Sequence, residues 1–567
     1  MTRRRFLQYS AAIGTALALP WGRPPLVASA AQGGTLRKYI QPLPLPGSGL
    51  VVAKARGTNQ YAFIQRHIAR QLHPDLPPTP VWAYDDGSGL AGQAGSFGMV
   101  VVTHRGTPLG ISYTNRLPET YPTWIPVDTR LTPLGKQVRV MTHLHEGFVA
   151  AASDGNPAVA PKGFGPGTQP QTVTYPNDQP AALMWFHDHA LGATRLNVFA
   201  GLAGAYILRD EFDTGEEPNP VGIPGGAYEI PLVIQDRQFN QDGTFLYPRS
   251  TLPGVTWIPE YFGDVMLVNG KVWPFLNVEP RLYRFRILNG CNARILALHL
   301  NGAPMQQIGA EGGLFAAPVP KRQLVLAPAE RADVIVDFSR YAGQTLVMTN
   351  STPPQPVSTP APPLPQVMQF RVGTTITHPG PRTVPPHLVG GRDAHLHAAV
   401  RTRYFALNEV APNTPDWFLN INAAHFNPHS ATIPPIGVGD VENWTYVNLT
   451  ADTHPMHLHL VTFQIVGRTP FDVAAYVAAA KRAGLSGPNG IDGATINPAR
   501  FATGPMVPPA PEERGFKDTV KANPGYFTTI RAKFDLPTGV HRPQKYVHHC
   551  HIVEHEDNDM MQTFVVG

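Results

Sequence analysis

Residues 548 to 561 read HHCHIVEHEDNDMM, which places four histidines, a cysteine and two methionines in one short run. In an extended strand successive side chains alternate faces, so His549 and His551 point one way and Cys550 the other. One strand can therefore serve two sites. A thiolate with imidazoles and a weak thioether is the donor set of a blue-copper centre, and Cys550, His555 and Met560 supply three of its members. The second histidine of such a centre has to come from elsewhere in the chain.

His-x-His occurs five times: His143/His145, His187/His189, His395/His397, His457/His459 and His549/His551. Random placement of 22 histidines in 567 residues gives roughly one such pair, so the pattern is in excess. Four pairs lie in apolar, strand-compatible surroundings, where alternation aims both rings of a pair at one point. His395/His397 instead follows the linker-like TVPPHLVGGRD and is expected to be a decoy. In HPMHLHL, His454 precedes His457 by an odd offset and so faces the other way from His457 and His459. It parallels Cys550 beside His549 and His551, which makes it the missing blue-copper histidine. Zinc takes the same residue types, but structural zinc sites usually collect several thiolates, and this chain offers one thiolate against a dozen histidines. Copper fits the set better.

These motifs resemble, in order, the four copper-binding motifs of the multicopper oxidases: HLH, HDH, HPMHLH and HCHIVEHEDNDM. The chain is most similar to the bacterial spore-coat laccase and bilirubin oxidase branch, and the likeness extends through TRLNVFAGLAGAYILRD, VNGKVWPFLNVEPRLYRFRILN, LAPAERADVIVDF and HLHLVTFQIVGRTPFDVAAY. The resemblance implies four copper ions. A type 1 copper takes His454, Cys550 and His555 with Met560 axial; a type 2 copper takes His143 and His457; a type 3 pair takes His145, His187, His189, His459, His549 and His551. Met561 is read as packing. The implied reaction couples one-electron oxidation of a small aromatic donor (a phenol, an aromatic amine or a tetrapyrrole) to reduction of dioxygen to water. Glu556 and Asp154 match positions that assist proton delivery.

Two alternatives accompany this reading. A metal oxidase acting on Cu(I) or Mn(II) requires an ion site near His454 and His555, and no Asp/Glu/Met cluster in the sequence identifies one. A copper-free structural or cell-division factor on the same fold is expected to lack ligands, whereas all twelve positions are filled here. One departure stands out: the family commonly has Gly after the first His-x-His, where this chain has Glu146, expected to face solvent.

The N-terminal TRRRFLQYSAAIGTALALP has a twin-arginine export pattern and an apolar run too short to span a bilayer, with Ala28-Ser29-Ala30 as a cleavage signal. Residues 1–30 are therefore expected to be a leader recognised by the twin-arginine export machinery, with a periplasmic or secreted product. The formal charge of +5 falls to about +1 without Arg3, Arg4, Arg5 and Arg23, so the pI near 9.1 argues for no nucleic-acid partner. Stable membrane insertion is not expected, and the product is read as a monomer. With Cys550 committed to metal, Cys291 is left without a disulfide partner and reads as a small buried hydrophobe.

High Pro (61) and Gly (53) indicate many turns, hence an all-β chain rather than helical bundles. Three β-rich units are expected at 35–212, 228–375 and 400–567. The pattern supports β-sandwich or barrel units. The resemblance implies three cupredoxin-like Greek-key β-sandwich domains, with the trinuclear cluster between the first and third. EFDTGEEPNPVGIPGG reads as a linker, and Phe471 to Gly484 as a small helix beside the type 1 region, ending in Lys, Arg and Gly. The following loop and the proline-rich STPPQPVSTPAPPLP are candidates for shaping the donor entrance.

Overall fold

Sequence alternation is expressed directly in the strands. Leu109–Arg116 buries every second side chain, and Phe463–Pro470 does the same, so each presents one apolar face to a core. The computed structural model describes residues 35–88, 98–358, 361–388 and 396–567; the expected leader and His395 lie outside the described residues.

Such faces pair up as three sandwiches. In the first, a six-stranded sheet runs Leu45–Pro46, Gly49–Val52, Met99–His104, Ala203–Arg209, Ala182–Asp188 and Thr142–His145 in spatial order. It packs on a four-stranded sheet of Thr79–Asp85, Gln60–Arg70, Leu109–Arg116 and Gln171–Tyr175, and the layers meet where Tyr84 sits edge-on to Phe186. The second sandwich has seven strands between Glu229 and Asp337 against five between Phe275 and Val372, around Phe285, Phe338 and Phe370. The third sets a five-stranded sheet beginning at Arg401 against Thr519–Ala522, His454–Leu458, Gln544–Cys550 and Met561–Val566, around Phe405, Trp444 and Phe564.

Each sandwich mixes parallel with antiparallel pairs; Ala203–Arg209 with Met99–His104, Glu229–Arg237 with Leu282–Asn289, and Arg401–Val410 with Val441–Asn448 are parallel. A parallel pair cannot be closed by a hairpin, so the chain crosses between layers, as in a Greek key. The expected helix forms over Val473–Arg482, capped by the Asp472 carboxylate accepting from the Ala475 N–H, and packs Tyr476 and Ala480 inward.

The linker after the first sandwich is anchored rather than slack. Asp213 within it is buried and accepts from both Nη atoms of Arg284 (2.7 Å each) and from Arg286 Nη2 (2.6 Å). Glu229 joins the same cluster. Burial pushes its carboxyl up, and Arg286, Arg284 and Arg209 more than offset this, bringing it to about 2. Its stabilising contribution is present above the unfolded value of about 4.3 and is lost as pH falls through about 2. A thermal-unfolding series from pH 5 to 2 should therefore show a fall in melting temperature that Glu229→Gln flattens. An equal slope in the variant would remove this cluster as the cause.

Candidate metal centre

The His-x-His motifs meet as two strand pairs. In the first sandwich His143 lies opposite His187 on adjacent antiparallel strands; in the third, His457 lies opposite His549 and Met456 opposite Cys550. Each pair of strands ends in ligand-type residues at the face where the two sandwiches dock. The eight imidazoles of His143, His145, His187, His189, His457, His459, His549 and His551 are all buried and pack as one cluster. Within it, the Nε2 atoms of His189 and His459 stand 3.3 and 3.2 Å from His549 Nε2. His145, His187 and His551 form a second set, with ring centroids 5.1 to 5.7 Å apart.

The outer nitrogens of these rings are held by the chain itself. Asp154 takes His143 Nδ1–H on its backbone carbonyl (2.6 Å) and His459 Nδ1–H on its carboxylate (2.8 Å), and these two rings stack at 4.0 Å. Asp518 repeats the arrangement on the other side. Its carbonyl accepts from His457 Nδ1 (2.9 Å), its carboxylate lies 3.2 Å from His145 Nε2, and those rings stack at 3.7 Å. Glu556 stands 3.1 Å from His189 Nδ1 and 3.2 Å from His549 Nδ1. His143 Nε2, His145 Nδ1, His187 Nε2 and His457 Nε2 remain buried with no protein partner. A buried ring nitrogen without a partner is costly, and several converging on one space is the donor arrangement of a metal site. Burial raises the Asp154 carboxyl to about 7.

Behind this cluster lies a second, smaller set. Cys550 Sγ is 3.5 Å from His454 Nδ1 and 3.7 Å from His555 Nδ1, and the two nitrogens are 3.2 Å apart. Donors bound at about 2.0–2.3 Å to one ion are about 3.3–3.7 Å from each other, so the triangle fits a single thiolate-binding metal. All three residues are fully buried, and burial, then the Glu556, Glu409 and Glu260 carboxylates, push the Cys550 thiol well above its ordinary value, so a thiolate here needs a cation beside it. Met560 is buried at the same turn. Its carbonyl accepts from the Cys550 N–H and its N–H donates to the His555 carbonyl.

The short helix Val553–Asp557 explains the density of the HEDND segment. Glu554 accepts from Tyr247 and Asn292 of the second sandwich, both at 2.8 Å. Asp557 accepts from the Thr194 and Arg195 N–H groups, capping the Thr194–Ala200 helix that follows HDH. Asp188, between the two histidines of HDH, fixes that turn by accepting from Met141 and Ala190 N–H and from Asn197 Nδ2.

Two expectations are corrected. Glu146 does not face solvent: it is buried and forms an ion pair with Arg331. Its φ of +75° explains why a glycine suits the position, since a side chain there costs about 1–2 kcal/mol. The outer edge of the thiolate site is also acidic, although the sequence identified no such cluster. Glu260 Oε1 lies 3.4 Å from His555 Nε2, and Glu409 Oε1 3.7 Å from His454 Nε2. Burial, then the nearby Asp452 and Glu260 carboxylates, push the Glu409 carboxyl well up. Thr450 Oγ1 bonds His454 Nε2 at 2.7 Å.

Among the described residues His397 is exposed and joins no ligand group. His548, though inside the motif, sits among Phe405, Trp444 and Phe564 in the third core. Cys291 is buried and free, as expected. The proline-rich segment borders the thiolate site through Ser358, whose N–H donates to Thr453 Oγ1 beside His454.

A multicopper oxidase family model matches residues 400–567. The chain is 36% identical over 547 residues to the laccase of Bacillus subtilis, covering 93% of this chain and 98% of that protein. It is 34% identical to the multicopper oxidase LPR1 of Arabidopsis thaliana, covering 88% and 86%. The fold matches the crystal structure of the McoA multicopper oxidase of Aquifex aeolicus with a TM-score of 0.70 at 24% identity, covering 94% of this chain and all of that one. The chain belongs to the multicopper oxidase family: it is a laccase-like oxidoreductase with dioxygen as acceptor and copper as its metal.

Proposed function

We propose that the protein binds four copper ions: His454, Cys550, His555 and Met560 would hold one, and the eight-histidine cluster the other three. In that cluster His143 and His457 hold the type 2 ion and the other six histidines the type 3 pair. The observation that carries this is the Gln544–Cys550 strand, since Cys550 belongs to the thiolate triangle while its chain neighbours His549 and His551 belong to the cluster. Bound copper supplies one-electron oxidation of the donor at the first site and four-electron reduction of dioxygen to water at the second. The protein's own part is to join the sites through single residues of covalent chain, to keep bulk water from the buried histidines, and to deliver protons. Glu556, between His189 and His549, and Asp154, with Oδ1 buried and unbonded, are placed to hold protons at the cluster. The three sandwiches are taken as domains at 35–212, 228–375 and 400–567. Export by the twin-arginine route to the periplasm or medium as a monomer completes the proposal; no helix among the described residues is long and apolar enough to cross a membrane.

Relatives named laccase support a phenol, aromatic amine or tetrapyrrole as donor. The carboxylates of Glu260 and Asp452, with Glu409 buried behind them, favour a second reading, a cationic donor such as Cu(I) or Mn(II), because negative charge beside the thiolate site concentrates cations. Steady-state oxygen uptake with a neutral phenol and with each metal ion, in wild type and in Glu260→Gln/Asp452→Asn, separates the two. A drop in kcat/KM of about 10-fold or more confined to the metal ions supports the cationic donor. Equal changes for both donor types would sink it and leave the aromatic donor.

A further inference from the structure

The second sandwich holds none of the proposed copper ligands, yet one of its side chains reaches the cluster. Arg331, at the start of the Arg331–Asp337 strand, is buried, and each of its five N–H groups has one acceptor. Nε donates to the Leu183 carbonyl (3.0 Å), on the strand that carries His187. Nη1 donates to the Ala329 carbonyl and to Asp518 Oδ1, both at 2.9 Å. Nη2 donates to Asp518 Oδ2 (2.7 Å) and to Glu146. The guanidinium thus grips Asp518 in a bidentate fork and ties all three sandwiches together.

Asp518 is the residue whose carboxylate lies 3.2 Å from His145 Nε2 and whose carbonyl accepts from His457 Nδ1. Asp154, its counterpart across the cluster, is held by Asn156 Nδ2 (2.8 Å), and among the described residues no Lys or Arg pairs with it. We propose that Arg331 is a positioning residue for the trinuclear centre: it locks the Asp518 carboxylate so that His145 donates Nε2–H outward and presents Nδ1 to the metal. Glu146 is its counter-charge, which is why a carboxylate occupies a left-handed position there. The inference rests on the eight-histidine reading above. It gives the ligand-free second sandwich a role in metal retention that a lysine cannot fill, because an ammonium has no planar fork.

The test uses copper-loaded wild type, Arg331→Lys, which keeps the charge but not the fork, and the double variant Arg331→Met/Glu146→Gln, which removes both members of that pair. Each is titrated with a copper chelator while copper per chain, the type 2 EPR signal and the blue band are followed, and each is also melted. The expected result is that both variants release cluster copper at about 10–100-fold lower chelator concentration, while the blue band stays and Arg331→Lys, which keeps the buried charge, melts near wild type. Wild-type copper retention in both variants would overturn the proposal, as would loss of the blue band in step with a lowered melting temperature. Wild type that loads only blue copper would overturn the eight-histidine reading beneath it, a result visible before any variant is compared.

Discussion

Cys550→Ser will leave a folded protein that is colourless, binds one copper fewer than wild type, and consumes oxygen at background rate with any donor. The thiolate is what makes the site a strong electron acceptor with an intense visible band, and a serine oxygen supplies neither at neutral pH. The substitution is small. Cys550 sits among Met456, Met560 and Ile552 in the third core, and Cys550 N–H and the paired strands are unaffected by a change at Sγ. His549 and His551 flank Cys550 and turn to the eight-histidine cluster, away from Sγ, so the type 2 EPR signal should persist. Copper content, EPR and oxygen uptake on the same preparation check this. Retained oxygen uptake in a colourless variant would mean that electrons enter elsewhere and would refute the path through Cys550. Loss of all copper together would instead make the two sites one cooperative unit.

The readable and unreadable parts of this site divide by distance along the chain. His-x-His spacing is legible because strands have period two, so the facing of His143/His145 and of His549/His551, and the opposite facing of His454 and Cys550, follow from counting. The three-sandwich architecture followed in part from turn-rich composition and in part from the likeness to a family. What local pattern could not reveal is what holds the outer nitrogens. Asp518 is 61 residues from His457 and reaches His145 from another sandwich; Arg331 is 187 residues from Asp518; Glu260 is 295 from His555. Each is placed by docking of sandwiches, which no periodicity encodes. Glu146 was misread for a related reason: a polar residue next to a turn suggests solvent, and only the left-handed backbone with Arg331 opposite turns it inward. Asp557, by contrast, lay inside the quoted motif. The signal was an acidic residue within a ligand segment, but its partner, the N-terminus of the Thr194–Ala200 helix, is 363 residues away.

Glu556→Gln should separate electron entry from oxygen chemistry. The carboxylate lies between two cluster histidines, 3.1 Å from His189 Nδ1 and 3.2 Å from His549 Nδ1, which also bonds the Cys550 carbonyl at 3.1 Å, so as an ionised group it can pair with both rings. An amide of the same shape accepts with one end only and turns an NH2 toward the other ring, which disfavours the tautomer presenting Nε2 inward. It also cannot pass on a proton. Dioxygen reduction to water consumes four protons in a site where the histidines are fully buried, so a group that carries protons is needed there; loss of a placed proton carrier typically costs about 10²–10⁴-fold. In the proposed scheme the donor is oxidised at the His454, Cys550 and His555 site, outside the cluster, and needs none of this. Under nitrogen, the blue band of the variant should therefore bleach with donor at the wild-type rate. On admitting oxygen its return should be slower by about 10²–10⁴-fold, with a larger solvent deuterium effect than wild type. Slowed bleaching under nitrogen would place the defect at electron entry. Fast recovery of colour would assign proton delivery to Asp154, whose Asn variant then becomes the one expected to stall.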